Sequence, residues 1–492
     1  MRKTWYTVSK RRITYILLII LYHIIREIAM VNIKKIVILI FLLPMSLLLC
    51  YVPAAAATPF SDIVAASAIL AEADSGTLLF DDNMTDRHPA DALAKIMMLL
   101  VAVSACETGG ANPDDLVEMT ESAWAGVDSK STTLDISPGE KLSLLDLMYC
   151  AFTGGACEAC NMVAEKIAGS VDAFVGLMNA RAAEIGCENT NYTNADGQYN
   201  EKQYTTAQDQ FYIFREAMSH PLFAEIAGAY RYTTAATNMS DPRKLVGSNS
   251  LLNANSKYYY STCTAGLAGA TYEGGYSAVA FAQADDLSLI SVVLGSDIII
   301  LDDESTQMRN LTESRRLFEW GFSEFEWRTI LSSNEPVAKA PILHGAGADY
   351  VNLRPESSIK LLLSKDIPTD EFEKNVTIYS TDKGEALEAP ITAGDVLGEI
   401  TISRDNVDYG PVKLVANTNI ELNRLEFIKM QITDILTSKT ARLVIFALIL
   451  LIILYIALVI RYNVIRRKRI RRIKEAKRRL KAERQGTRGE DE

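Results

Sequence analysis

An unbroken apolar run near the C-terminus, Leu443–Ile460, places the strongest constraint on how this 492-residue chain can fold. Arg442 and Arg461 bound the run, and its 18 residues are enough for a helix that crosses the hydrocarbon core of a bilayer. Residues 461–492 hold 14 Lys and Arg against 5 Asp and Glu. Because positively charged flanks stay in the cytoplasm, we expect a single-pass protein of the cell membrane with its body outside and its C-terminus inside.

The N-terminal residues predict export. Residues 36–52 are apolar, follow two lysines, and precede Pro53 and a run of four alanines. A basic segment, an apolar segment and small residues are the parts of a cleaved secretory signal, although this apolar segment is also long enough for a retained anchor. We therefore interpret residues 1–58 as a signal or targeting region, with Met30 as an alternative start of the chain.

The charge between the two basic ends excludes one class of partner. Residues 59–460 contain 28 Lys and Arg against 55 Asp and Glu, a net charge of −27. Such a segment repels phosphate backbones, so we expect no nucleic-acid binding by the body of the protein. The basic tail remains open to a different role, in which it carries a signal from an extracytoplasmic sensor to a cytoplasmic partner.

The spacing of the cysteines favours buried free thiols over a disulfide framework. Seven are present, six of them beyond the signal region, and their spacing is irregular. Cys157 and Cys160 form a CxxC motif. The chain has no second pair for a zinc site, and the local pattern does not predict the strand-to-helix setting of a redox site. We therefore expect no metal and no cofactor.

Hydrophobic periodicity divides the rest of the chain. Residues 59–330 have strand patterns at both ends and helical patterns between them, which favours an α/β sheet with a helical region. Residues 331–425 contain short strand-like runs separated by Gly, Pro and Asp, which is typical of a small all-β domain. Residues 426–442 form an amphipathic connector to the predicted span at 443–460, and the basic tail at 461–492 follows.

Several segments carry a more specific pattern: Ala68–Leu79, Pro89-Ala90, Lys95–Met97, Ala168–Asn179, Asn194–Gly197, Leu289–Gly295 and Ala389–Gly398. Together they resemble the serine-type D-alanyl-D-alanine carboxypeptidases, the low-molecular-mass penicillin-binding proteins that trim peptidoglycan stem peptides. The resemblance implies an α/β (α+β) domain of the penicillin-binding transpeptidase and β-lactamase type, then a small all-β domain and a C-terminal transmembrane helix. It also implies the membrane, and peptidoglycan or other envelope proteins, as partners.

The chemistry of that family depends on three motifs, S-x-x-K, S-x-N and K-T-G. The positions that match S-x-x-K are Ala92 and Lys95, and those that match S-x-N are Gly155 and Cys157. The positions that match K-T-G are Leu267, Ala268 and Gly269. A methyl group at position 92 cannot form an acyl-enzyme, and an apolar Leu267 cannot bind a substrate carboxylate. The resemblance therefore predicts a degenerate site, and a protein of this family that binds or scaffolds without catalysis.

Two hypotheses about individual residues accompany this interpretation. Asp91 lies four residues before Lys95, so on a helix it could pair with the ammonium group. The competing hypothesis is an active D-Ala-D-Ala carboxypeptidase or peptidase with a non-standard site. Cys157 is its candidate nucleophile by position alone, and a buried cysteine on a helix face is the simpler interpretation.

Overall fold

The computed structural model describes residues 63–300, 306–382 and 387–486. The predicted signal region and the alternative start at Met30 lie outside these residues. The described residues form two compact units. The first runs to Thr329 and includes Lys360–Glu371, and the second comprises Ile330–Ile359 and the residues from Phe372 onward. The domain limits given above remain predictions.

A five-stranded antiparallel sheet forms the centre of the first unit. Its strands are β1 (Ser67–Glu72), β2 (Leu78–Asp82), β3 (Cys263–Thr271), β4 (Gly275–Ala284) and β5 (Leu287–Ser296). They lie in the order β2-β1-β5-β4-β3, which makes β3 an edge strand. All six residues of β1 are buried because apolar side chains cover both faces of the sheet.

Helices fill the chain between β2 and β3, and one more follows β5. They are α1 (Ala94–Glu107), α2 (Glu121–Ala125), α3 (Leu144–Phe152), α4 (Cys157–Ala168), α5 (Val171–Ile185), α6 (Ala207–Met218), α7 (Pro221–Gly228) and α8 (Arg309–Glu324). The first ten residues of α1 are all buried, which makes it the central helix of the unit. The predicted sheet with a helical region is therefore confirmed. All six cysteines in the described residues are free, and five of them are buried.

Short elements complete the first unit. Two-stranded pairs join His88–Pro89 to Tyr204–Thr205, Leu116–Glu118 to Lys141–Ser143, Arg231–Thr233 to Lys244–Val246, Ile298–Ile300 to Thr306–Met308, and Phe325–Leu331 to Ile359–Ser364. Three-residue 3-10 turns occupy Asp91–Leu93, Ser250–Leu252 and Thr369–Glu371.

The second unit contains the predicted all-β fold. Its six strands are β6 (Ala338–Leu343), β7 (Tyr350–Pro355), β8 (Glu373–Ile378), β9 (Leu387–Glu388), β10 (Val396–Arg404) and β11 (Val407–Ala416). They lie in the order β8-β10-β11-β7-β6-β9. Alternate residues of β10 are buried, as expected for a sheet with one covered face.

Three helices complete this unit: α9 (Tyr379–Asp382), α10 (Arg424–Thr437) and α11 (Lys439–Gly486). An 18-residue window of α11 reaches a mean hydropathy of 3.5, and none of that window is buried. Within the part of the chain that the structure describes, α11 is the one helix long and apolar enough to cross a membrane. The predicted span at 443–460 lies inside it, and its orientation stays a prediction.

Candidate functional site

The start of α1 lies directly against the edge strand β3. Ala92 is part of the 3-10 turn that leads into α1. A Cβ atom added to Gly269 of β3 would lie 2.3 Å from the Cβ of Ala92. Only glycine allows the two segments to approach so closely. The fold thus brings together Ala92 and Gly269, which the sequence assigned to two different motifs.

Lys95, one turn further along α1, points to the start of α4. Its ammonium group donates a hydrogen bond to the backbone carbonyl of Asp196, and its Nζ lies 4.0 Å from the Sγ of Cys157. Cys157 is the first residue of α4, and its Sγ lies 3.6 Å from the same carbonyl oxygen. Both side chains are buried. A second pair of predicted positions, Lys95 and Cys157, is therefore in contact.

The charge on Lys95 depends on what surrounds it. Burial acts to lower the pKa of Lys95. Electrostatic interactions with neighbouring groups outweigh burial, so the pKa of Lys95 lies above its ordinary value. These groups are Cys160, Cys157, Asp196 and Glu158. Burial raises the pKa of the Cys157 thiol, although Lys95 opposes the change. Near neutral pH the pair is therefore an ammonium group beside a neutral thiol. It holds neither the thiolate nor the base that a cysteine nucleophile needs.

Asp91 does not pair with Lys95, so that prediction is wrong. The carboxylate of Asp91 accepts a hydrogen bond from the Thr271 hydroxyl at the end of β3. The prediction assumed helical geometry, but Asp91 has a φ of +43°, in the left-handed region, and lies before α1 begins. A Cβ on Gly274 would lie 1.8 Å from Asp91 Oδ2, so glycine leaves room for this carboxylate. Burial raises the pKa of Asp91, and the hydrogen bond from Thr271 opposes the rise.

The other predicted positions provide no polar side chain. Gly155, at a φ of +71°, forms the turn before α4. Leu267 is 4% exposed and packs in the core cluster that contains α1, whereas Ala268 packs in the cluster on the other face of the sheet. The carbonyl of Ala268 accepts a hydrogen bond from the Ser248 hydroxyl. None of the three side chains can bind a carboxylate or transfer a proton.

A serine–histidine pair, which the sequence did not reveal, lies elsewhere in the first unit. The Oγ of Ser67 is 2.6 Å from the Nε2 of His88, and it donates a hydrogen bond to the carbonyl of Asn83 at 2.8 Å. Burial lowers the pKa of His88, and Asp86 opposes that change. Ser67 is fully buried, so its hydroxyl cannot reach a bound substrate. The pair therefore connects β1 to the segment before α1 and does not form a nucleophilic site.

Comparison with known families agrees with this architecture. Residues 53–298 match the family model described as D-alanyl-D-alanine carboxypeptidase. The chain belongs to the D-alanyl-D-alanine carboxypeptidase family. Residues 325–422 match a second model, the C-terminal domain of penicillin-binding protein 5. The predicted family and fold class are thus confirmed for both units.

Individual members of the carboxypeptidase family are similar over most of their length. The D-alanyl-D-alanine carboxypeptidase DacF of Bacillus subtilis is 25% identical over 341 residues, which cover 69% of this chain and 82% of DacF. DacA of Escherichia coli K12 is 29% identical over 347 residues, 70% of this chain and 80% of DacA. Penicillin-binding protein 5 of Haemophilus influenzae superposes with a TM-score of 0.55 at 25% identity, over 74% of this chain and 99% of that structure.

Proposed function

We propose that this chain is a membrane-anchored, extracytoplasmic member of the carboxypeptidase family that has lost acyl-transfer chemistry and uses its cleft to bind or scaffold peptidoglycan. One observation carries the proposal. At the position assigned to the nucleophile stands Ala92, a methyl group in contact with Gly269, while Lys95 remains one turn away. The backbone framework of the site is present, and the atom that would attack a substrate is absent.

The remaining positions of the cleft support the same conclusion. Leu267 and Ala268 are both packed in apolar clusters, so neither can hold a substrate carboxylate. Removing one donor from such a site typically costs about 2.7–4 kcal/mol of transition-state stabilisation. Residues that act as a unit in catalysis fail together, so loss of the nucleophile alone is enough to end turnover.

A second candidate function is peptidase activity with Cys157 as the nucleophile. The distance of 4.0 Å between its Sγ and the Nζ of Lys95 favours it. The protonation states argue against it, because a protonated Lys95 cannot take the thiol proton. Cys157 is also only 5% exposed, which leaves little room for a substrate carbonyl. We therefore favour the binding function.

The arrangement of the chain proposed here follows the predicted limits. Residues 59–330 would form the carboxypeptidase-like domain, residues 331–425 the β-rich domain, and 426–442 the connector. The long apolar helix α11 would hold both outside the cell membrane, with the basic residues from Arg461 onward in the cytoplasm.

The test combines acylation with binding. The full-length protein in detergent is incubated with a fluorescent β-lactam beside DacA of Escherichia coli as a positive control, and then sedimented with purified peptidoglycan. We expect no covalent label on this chain and retention by the peptidoglycan. Stoichiometric labelling would disprove the loss of chemistry. Absence of retention would disprove the binding function and leave the loss of chemistry standing.

A further inference from the structure

The first unit contains a cavity of about 600 Å³ that none of the positions discussed above lines. One side of it is a face of α6, where Tyr212 lies three and four residues before Arg215 and Glu216. The end of α5, the turn after β1 and the strands β4 and β5 form the rest. Asp74 and Ser219, which are both exposed, lie at its edge and open it to solvent. Its volume is in the range of about 300–1,000 Å³ that is usual for small-molecule sites.

Helix α1 separates this cavity from the cleft. Ala92 and Lys95 lie at the start of α1, whereas the last residue of α1, Glu107, has its Oε2 2.6 Å from the Nδ1 of His220. His220 follows α6, and its Nε2 lies 4.0 Å from the Oε1 of Glu216, which lines the cavity. The 14 residues of α1 span about 20 Å. The cavity is therefore a separate site at the other end of the central helix.

The acidic groups of the cavity have more charge than their partner neutralises. The Nη1 of Arg181 lies 3.1 Å from the Oε2 of Glu184, and its Nη2 contacts the Oε1 of Glu216. Two carboxylates thus share one guanidinium, and all three side chains line the cavity. One negative charge remains on this side, which favours a ligand with an ammonium group.

Arg215 provides a cation without an acidic partner. Its Nη2 donates a hydrogen bond to the carbonyl of Asp74 at 2.6 Å, and no carboxylate in the described part of the chain forms an ion pair with it. Gly76 leaves room for the guanidinium, because a Cβ atom there would lie 2.7 Å from the Nη1 of Arg215. A guanidinium has five N–H donors, so one hydrogen bond leaves others for a ligand carboxylate.

The remaining side chains of the cavity are mostly apolar, and they include Ala73, Ile185, Met218, Phe281 and Ile290. We propose that the cavity binds a free α-amino acid with an apolar side chain. The carboxylate of this ligand accepts hydrogen bonds from Arg215, and its ammonium group lies beside Glu184 and Glu216. Its side chain packs against the apolar residues. This site does not depend on the proposed function of the cleft.

Calorimetric titration of the purified full-length protein in detergent, with a detergent blank, measures the binding of four small molecules. Phenylalanine has all three groups that the cavity recognises. N-acetylphenylalanine lacks the ammonium group, phenylalaninol lacks the carboxylate, and glycine lacks the apolar side chain. We expect one phenylalanine to bind per chain, and each of the other three to bind at least about tenfold more weakly. A tenfold change corresponds to about 1.4 kcal/mol, which is within the contribution of one hydrogen bond to a charged group.

Variants assign each group of the ligand to its partner. Arg215→Met should weaken phenylalanine binding about tenfold and leave phenylalaninol binding unchanged, because phenylalaninol has no carboxylate. Glu184→Gln should weaken phenylalanine binding and leave N-acetylphenylalanine binding unchanged. Arg231→Met and Glu201→Gln, at exposed positions outside the cavity, are the matched controls and should bind like the parent.

Thermal unfolding checks that each variant is folded. Three results would overturn the proposal: no heat from phenylalanine at millimolar concentration, equal affinity of the parent for phenylalanine and phenylalaninol, or an equal loss of affinity in Arg215→Met and Arg231→Met. The titrations use neither a β-lactam nor peptidoglycan, so their failure is separate from failure of the proposed function.

Discussion

Ala92 and Gly269 touch directly, because a Cβ atom on Gly269 would lie 2.3 Å from the Cβ of Ala92. The contact joins the turn before the central helix α1 to the edge strand β3. Both segments are packed against buried residues, so neither can move away freely. The turn and the edge strand therefore keep a tight backbone geometry at this point of the cleft.

The first prediction tests this contact. Gly269→Ala should lower the free energy of unfolding of the first unit by about 1–3 kcal/mol, the usual cost of overpacking a close contact. Gly176→Ala on α5 is the matched control, since nothing lies within 4 Å of the added Cβ. It should raise stability by about 0.5–1 kcal/mol, because alanine is the better helix former. Denaturant unfolding of both variants measures the difference. Equal stability of Gly269→Ala and the parent would contradict the described contact.

The second prediction concerns pH. Glu140 is 1% exposed and accepts two hydrogen bonds from Arg243, at 2.7 and 2.9 Å. Burial acts to raise the pKa of Glu140, but the hydrogen bonds from Arg243 and Thr237 outweigh it and hold the pKa below its ordinary value. A carboxyl group whose pKa is lowered by folding stabilises the protein above its unfolded pKa, and this contribution is lost as the pH falls through the folded pKa.

Removing that charge should therefore weaken the fold at neutral pH and reduce its acid sensitivity. Glu140→Gln should cost about 1–3 kcal/mol, because the partly buried guanidinium of Arg243 loses its charged hydrogen-bond partner. Glu118→Gln, which removes a half-exposed ion pair with Lys141, should cost about 1 kcal/mol or less. Thermal unfolding between neutral and acidic pH measures both variants. A stability profile of Glu140→Gln parallel to that of the parent would show that the ion pair does not contribute.

The third prediction concerns topology. If the apolar part of α11 crosses the membrane with its basic end inside, protease added to intact cells should digest the two units and leave a protected C-terminal fragment. An epitope tag after Glu492 identifies that fragment, and cells opened with detergent provide the control in which the tag is also lost. Protection of the two units in intact cells would reverse the orientation.

Local sequence signals were sufficient for part of the fold. The limits of the helix Val171–Ile185 follow from its sequence, because Ser170 caps its start and Gly186, at a φ of +94°, ends it. The limits of strands β6 and β7 were not predicted, because each is only six residues long and includes a proline, although buried and more exposed residues alternate along both. Such strands are defined by their partners and not by their own composition.

The contacts of the candidate site were harder to predict than its members. Lys95 meets Cys157 from 62 residues away, and Asp91 meets Thr271 from 180 residues away. A local rule paired Asp91 with Lys95, because four residues are one helical turn. The positive φ of Asp91 breaks the helical geometry that this rule assumes. No local pattern in the sequence predicts that positive φ. Family resemblance identified the positions, whereas only the tertiary structure provided their partners.

The last prediction is that Ala92→Ser alone does not restore acylation by a β-lactam. The added hydroxyl would stand one turn from Lys95, but Lys95 would be protonated, because its pKa lies above its ordinary value. Its base form increases only as the pH rises towards that pKa, so any residual acylation should be faster at alkaline pH. Leu267 and Ala268 would still leave the carboxylate of the β-lactam without a cation or a hydroxyl donor.

Mass spectrometry of the full-length variant after exposure to the β-lactam measures this outcome. A second variant adds Leu267→Lys and Ala268→Thr to Ala92→Ser and should acylate faster than the single substitution, provided that thermal unfolding shows it to be folded. The parent chain with Leu267→Lys and Ala268→Thr alone is the matched control, because it has the carboxylate site without a nucleophile and should remain unlabelled. Stoichiometric acylation of Ala92→Ser near neutral pH would show that Lys95 can act as a base and that the cleft lacks only its serine. In that case the alanine at position 92 alone would account for the loss of chemistry. The proposed binding function would then belong to a protein whose site needs only one substitution to react with a β-lactam.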